Sequence, residues 1–262
     1  MLMLDDLEMQ EFHASKKVRA GGLLTDPTQW ALLLDIDGTL IDVAPTPDAV
    51  SMPPGLVQTL ERTVQEFGGA VALVTGRRIA VADRLFAPLK LVTSGVHGTE
   101  LREVADGAQR ILVPPAPLGL VLEVGRVRRL SPGILVEQKG AGLAVHYRNA
   151  PAARMDLERE LGQIVERWRA FELRPGRKVL ELLPRGYSKG TALVALMQLS
   201  PFQGRVPLMI GDDRGDEPAL AAAAHMGGIG LRVAGEYFGR AVADFASAAD
   251  VRRWLSGLMR KL

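Results

Sequence analysis

Two aspartates one residue apart, Asp35 and Asp37, follow the apolar run Ala31-Leu32-Leu33-Leu34 and precede Gly38-Thr39. Carboxylates at the exit of a buried strand are costly to desolvate unless they bind a cation or take part in chemistry. A second apolar run, Val71-Ala72-Leu73-Val74, ends in Thr75-Gly76-Arg77. A third, Val206-Pro207-Leu208-Met209-Ile210, ends in Gly211-Asp212-Asp213, with Asp216 just beyond. Lys189 follows Ser188 at a helix start. Carboxylates with one ammonium and a hydroxyl, and no Cys or His ligand, suit a hard cation such as Mg²⁺. That cation with Lys189 and Thr75 suits a phosphoryl group. Each string alone has a plainer reading. Asp-Gly is a common turn, Ser188 an ordinary N-cap, and the acids after Gly211 favour a helix N-terminus.

The elements that must position these residues follow from the apolar pattern. Short continuous apolar runs suit strands covered on both faces. Strands near 31–35, 71–74 and 91–93 alternate with helices near 53–67 and 78–86, where Pro53-Pro54 suit a first helical turn. Ligands in open parallel sheets sit outside the carboxyl ends of the strands, so Asp35, Thr75 and Asp212 are expected on one crevice. Pro114, Pro115 and Pro117 mark a boundary. Beyond a short helix near 117–130, the strands near 134–139 and 143–148 alternate polar with apolar residues and leave one face open. Glu137 and Lys139 share a face by the period of two, as do His146 and Arg148. A helix near 151–170 and a strand at 179–183 follow, then a helix from Ser188 to about 199, the strand at 206–210, and helices near 216–225 and 248–260. The division expected is an extension at 1–28, in part helical, an α/β core at 29–113 and 184–262, and an inserted α+β module at 114–183.

Composition narrows the function. With 262 residues, 47% hydrophobic and 24% charged, the chain is expected to be globular. Its 32 basic and 30 acidic residues leave a charge of +2, which gives no argument for a nucleic-acid partner. The absence of cysteine excludes disulfides, thiolate metal sites and Cys nucleophiles. No apolar stretch approaches the roughly 18 residues of a membrane span, and acids stand where a signal peptide carries basic residues. A cytoplasmic protein with no membrane partner is the expectation, with the monomer favoured.

Asp35-Ile-Asp37-Gly38-Thr39, Thr75-Gly76-Arg77, Lys189 and Gly211-Asp212-Asp213-Arg214-Gly215-Asp216-Glu217 occur in the order of the four motifs of the haloacid dehalogenase superfamily phosphatases, which the chain resembles from about residue 30 onward. Within that superfamily it resembles the trehalose-6-phosphate phosphatases. Ser94-Gly95-Val96-His97-Gly98-Thr99-Glu100, Glu137-Gln138-Lys139, His146-Tyr147-Arg148 and Glu181-Leu182-Leu183-Pro184 carry that likeness. The chain departs from the family at Gly215, where Thr is usual, and near Pro218 and Leu220, where an acid and an aromatic are usual.

The resemblance implies a Rossmann-like α/β core with an α+β cap domain. It implies Asp35 as nucleophile, Asp37 as general acid and then base, and Thr75 and Lys189 on phosphate oxygens. Asp35, the Asp37 carbonyl and Asp212 would hold Mg²⁺, with Asp213 and Asp216 ordering its water. Asp35 is expected to stay ionised while Asp37 is raised. Gly76, Arg77, His97, Glu137, Lys139 and Glu181 are the candidate contacts to a sugar phosphate substrate. Phosphatases of other sugar phosphates (sucrose phosphate, a mannosylglycerate-type phosphate, a hexose phosphate) share the core motifs. A silent sugar-phosphate sensor is the reading from another class, and the intact acids speak against it.

Overall fold

The computed structural model describes residues 26–44 and 49–258. Most of the extension expected at 1–28, including its helical part, lies outside the described residues.

Eleven strands are found among the described residues: β1 (Trp30–Leu34), β2 (Val71–Val74), β3 (Val92–Gly95), β4 (Glu100–Arg102), β5 (Arg110–Ile111), β6 (Leu135–Lys139), β7 (Gly142–His146), β8 (Phe171–Gly176), β9 (Val179–Pro184), β10 (Val206–Gly211) and β11 (Ile229–Arg232). The helices are α1 (Leu56–Glu66), α2 (Ile79–Phe86), α3 (Leu118–Gly125), α4 (Arg154–Arg167), α5 (Lys189–Leu196), α6 (Glu217–His225) and α7 (Ala248–Leu258). Among them, no helix is long and apolar enough to cross a membrane.

Seven strands form one sheet in the order β11-β10-β1-β2-β3-β4-β5. β11, β10, β1, β2 and β3 run parallel, and β4 and β5 add an antiparallel edge. The chain leaves β1 toward β2 on one side and returns to β10 on the other, so the order switches at β1. Side chains alternate across the pleat. Leu32, Leu34, Leu73 and Ile210 pack with α1, α2 and α7, while Leu33, Val74 and Met209 pack with α5 and α6. Burial on both faces is why these strands read as unbroken apolar runs. Truncating one such residue, for example Leu34→Ala, costs about 2–5 kcal/mol.

The second sheet, β6-β7-β9-β8, is antiparallel throughout. Leu143, Val145, Leu180 and Leu182 turn one face to Leu120, Val124, Leu157 and Leu161 of α3 and α4. The register sets Glu137 opposite Ala144 and Ala144 opposite Glu181. The other face therefore carries Glu137, Lys139, His146 and Glu181, as the period of two requires.

Several boundaries differ from the sequence expectation. Pro53 and Pro54 precede α1 instead of forming its first turn, because Gly55 takes the N-cap with φ 75°. Three-residue 3₁₀ geometry at Pro151–Ala153 delays α4, which ends at Arg167 and leaves Trp168 outside. The helix expected near 117–130 is α-helical only to Gly125 and continues as a 3₁₀ turn to Leu130. α5 stops at Leu196, short of the expected 199. β4, β5, β8 and β11 were not anticipated.

Candidate active site

The sheet switch places Asp35 and Asp212 side by side. Asp35 donates its backbone N–H to Ile210 at 3.0 Å, just past the paired ends of β1 and β10. Lys189, at the N-terminus of α5, lies with its Nζ 2.6 Å from Asp35 Oδ1 and 2.6 Å from Asp216 Oδ1. Asp216 Oδ2 accepts the backbone N–H groups of Asp212 and Asp213, each at 3.0 Å. Carboxylate oxygens of Asp35, Asp212 and Asp216 all lie within 4.8 Å of one another, and all three residues are buried. Two glycines permit this density. A Cβ on Gly38 (φ 85°) would stand 2.1 Å from Asp212 Oδ2, and one on Gly211 would stand 2.4 Å from Asp216 Cγ.

The three acids meet two cations. Lys189 bridges two of them, and the Arg177 guanidinium bonds Asp212 Oδ2. Burial pushes Asp35 well above the ordinary carboxylate range, with Asp216 adding and Lys189 opposing. Burial likewise pushes Asp212 up to about 7, against the pull of Arg177. Burial works against the Lys189 ammonium, but Asp216 and Asp35 outweigh it and raise its pKa. Asp212 Oδ1 is buried with no hydrogen-bond partner. A buried oxygen left over among carboxylates that burial drives toward protonation fits a hard divalent cation.

Asp37 points elsewhere. Arg77 forks onto it, with Nε 2.6 Å from Oδ2 and Nη2 2.6 Å from Oδ1. Thr75 is buried, and its Oγ1 accepts the Arg77 N–H at 3.1 Å. Gly76 is the floor for His97: a Cβ there would lie 2.7 Å from His97 Nε2. Asp213 stands apart from the acid cluster, since Oδ1 accepts the Arg214 N–H at 2.7 Å and Oδ2 the Arg177 N–H at 3.1 Å.

A cavity of about 500 Å³ joins the two sheets, a size within the roughly 300–1,000 Å³ of ligand clefts. Asp35, Asp37, Gly76, Arg77 and Lys189 line one side, and Glu137, Lys139, His146 and Glu181 the other. Thr75 and Asp216 lie behind this lining. Lys139 Nζ is 3.2 Å from Glu181 Oε1, and His146 Nε2 is 2.9 Å from Glu137 Oε2. His97 Nε2 stands 2.9 Å from Glu181 Oε2, within ion-pair distance but outside hydrogen-bond geometry. Burial would raise Glu181, but His97 and Lys139 together hold it well below the usual range. Val96 and His97 carry φ of 45° and 53°, a region costly for side-chain-bearing residues and found where a site over-determines the backbone. A Cβ on Gly215 would meet His97 Cε1 at 3.8 Å, so the departure from the family pattern falls on the cavity wall.

Arg177 escaped the sequence reading. It sits in the turn between β8 and β9, and the Arg174-Pro175-Gly176-Arg177-Lys178 string was the available signal: a turn flanked by cations.

This parallel core with its second antiparallel layer is shared with a phosphatase of the haloalkanoate (HAD) superfamily from Bacteroides thetaiotaomicron, with TM-score 0.59 at 17% identity, over 90% of this chain and 96% of that one. The family model described as trehalose-phosphatase matches residues 33–234. The chain is 40% identical to a probable trehalose-phosphate phosphatase of Sinorhizobium fredii, over 80% of this chain and 80% of that one. It is 36% identical to the trehalose-6-phosphate phosphatase of Escherichia coli, over 87% of this chain and 85% of that one. The C-terminal domain of the C. albicans trehalose-6-phosphate phosphatase shares the fold with TM-score 0.76 at 17% identity, over 95% of this chain and 96% of that one. The chain belongs to the trehalose-phosphatase family.

Proposed function

We propose that this chain is a Mg²⁺-dependent hydrolase that cleaves trehalose 6-phosphate to trehalose and inorganic phosphate through an aspartyl-phosphate on Asp35. The observation that carries the reading is the single cavity shared by the Asp35–Lys189 rim and the charged face of the second sheet. One side is suited to a phosphoryl group and the other, with two carboxylates and an ammonium, to sugar hydroxyls that both donate and accept.

In this reading Asp35 attacks phosphorus while the bond to the sugar oxygen breaks, and Asp37 gives that oxygen its proton. A water then loses a proton to Asp37 and attacks the aspartyl-phosphate, which returns Asp35 and frees phosphate. Asp37 yields an Arg77 contact to do this, and Arg77 keeps the carboxylate aimed at the cavity. Lys189 holds Asp35 and screens it from the incoming phosphate charge. Asp35, the Asp37 carbonyl and Asp212 would hold Mg²⁺, with Asp216 and Asp213 bracing them; when bound, the cation neutralises charge on the transferring phosphoryl group. The second sheet serves as a cap that reads the leaving group through Glu137, Lys139, Glu181 and His97, and keeps bulk water from the intermediate. The proposed division is a core at 29–113 and 184–262 with the cap at 114–183.

The test is phosphate release by the purified chain with Mg²⁺ across trehalose 6-phosphate, sucrose 6-phosphate and glucose 6-phosphate. Trehalose 6-phosphate is expected to give the highest kcat/KM. An equal or higher value on a monosaccharide phosphate would contradict the substrate assignment.

A further inference from the structure

Glu100 is a buried carboxylate, 2% exposed, that the proposed reaction does not use. It opens the three-residue strand β4, which the sequence pattern did not reveal. Its Oε2 accepts the Ile79 N–H at 2.8 Å, and its Oε1 accepts Arg78 Nε at 3.1 Å. Ile79 is the first residue of α2, and the N-cap residue Arg78 supplies no side-chain cap. Helices leave their first N–H groups unsatisfied, and a carboxylate is their usual partner. Here the cap comes from a strand 21 residues away in sequence. The segment it holds is the one that carries Thr75, Gly76 and Arg77.

The same segment is pinned from the other side. Val96 donates to the Arg77 carbonyl at 2.9 Å, and His97 to the Thr75 carbonyl at 3.1 Å. Gly95 has no room for a side chain: a Cβ would lie 2.9 Å from the Arg77 oxygen. The strained Val96-His97 backbone leads straight through Gly98 and Thr99 to Glu100. Two anchors therefore grip residues 75–79, one at each end of the turn, and Arg77 projects between them to fork onto Asp37.

We infer that Glu100 is a positioning residue for the reaction: by capping α2 it fixes the backbone at Arg77–Arg78 and so registers the Arg77 fork on both oxygens of Asp37. This rests on the reading of Asp37 as the acid and base. Without the carboxylate, Ile79 N–H is left buried and unpaired, the turn loosens, and the fork loses its two-point geometry. Misplacement of this size lowers turnover by between about ten- and a hundred-fold.

The experiment compares kcat and KM on trehalose 6-phosphate for wild type, Glu100→Ala, Glu100→Gln, Arg77→Ala and the Glu100→Ala/Arg77→Ala double variant, with thermal melts of each. Glu100→Ala should lose kcat by that factor with KM within about two-fold. Glu100→Gln keeps an acceptor for Ile79 and should return to within about three-fold of wild type. In the Arg77→Ala background, Glu100→Ala should cost nothing further, since residues that act through one another do not add. Losses that multiply, a Gln variant as poor as Ala, or an Ala variant with full kcat would overturn the inference. If Glu100→Ala does not fold, Glu100→Asp, whose carboxylate falls short of Ile79, takes its place in the same cycle. Asp37→Asn separates the two failures. If it retains turnover, the reading of Asp37 is wrong; if it loses turnover while the Glu100 and Arg77 losses multiply, only the positioning role is wrong.

Discussion

Lys189 Nζ stands 2.6 Å from Asp35 Oδ1 across 154 residues of chain, and the same ammonium is 2.6 Å from Asp216 Oδ1. One ammonium thus pairs with two buried acids, and the two substitutions at this bridge should not behave alike. Lys189→Met strands two buried carboxylates and should lower unfolding free energy by about 3–5 kcal/mol. Asp35→Asn removes a charge that burial already disfavours and leaves Lys189 paired with Asp216. It should keep or raise the melting temperature while turnover falls at least about a thousand-fold. Denaturant unfolding and phosphate release read the two effects separately.

Arg177 occupies Asp212 Oδ2 from the turn between β8 and β9, and its backbone N–H holds Asp213. A divalent cation at the unpartnered Asp212 Oδ1 would share the carboxylate with that guanidinium and be repelled by its charge. Arg177→Gln should therefore tighten Mg²⁺ binding by about three- to ten-fold in a calorimetric titration without substrate. Weaker binding in the variant would mean that Arg177 supports the site instead of competing for it.

Glu181 sets an acid limb of stability. Burial pushes it up, but His97 and Lys139 hold it well below its usual 4.5. A carboxylate depressed in the folded chain adds stability above its unfolded pKa and loses it as pH falls toward the folded value. Melting temperature should fall as pH drops below about 4.5 in the wild type, and less steeply in Glu181→Gln. Parallel curves would show that the ion pairs with His97 and Lys139 contribute nothing.

Gly38 carries φ 85° and packs against Asp212, where a Cβ would come within 2.1 Å of Oδ2. Gly38→Ala meets both the backbone penalty and the clash. Turnover should fall at least about a hundred-fold by displacement of Asp212, with a lower melting temperature. Gly55→Ala is the control: its φ is also positive, at 75°, but a Cβ there meets nothing within 4 Å. It should lose stability and keep turnover.

The core acids were legible because each follows a strand buried on both faces, which leaves an unbroken apolar run in the sequence. Asp35 and Asp212 needed only the rule that parallel strands deliver their ends to one crevice. Glu137 and Lys139 were legible as sharing a face by the period of two. That Glu181 and His97 join them followed from the family resemblance alone and not from the residue pattern, because pairing between β7 and β9 leaves no local mark. β4 and β5 are too short to show any period, so the contacts of Glu100 could not be read from the sequence. β8 was hidden by Pro175-Gly176, which reads as a turn although the strand runs to Gly176. The division of labour among Asp212, Asp213 and Asp216 was likewise not legible: three acids within five residues look alike until the backbone N–H groups are placed.

The covalent step on Asp35 is the centre of the account. The direct measurement is an acid quench of the enzyme during turnover of trehalose 6-phosphate labelled in its phosphoryl group, followed by peptide mapping by mass spectrometry. The label is expected on the peptide that contains Asp35, and to be absent in Asp35→Asn. Label on another residue, or steady turnover with no labelled peptide in the wild type, would contradict it.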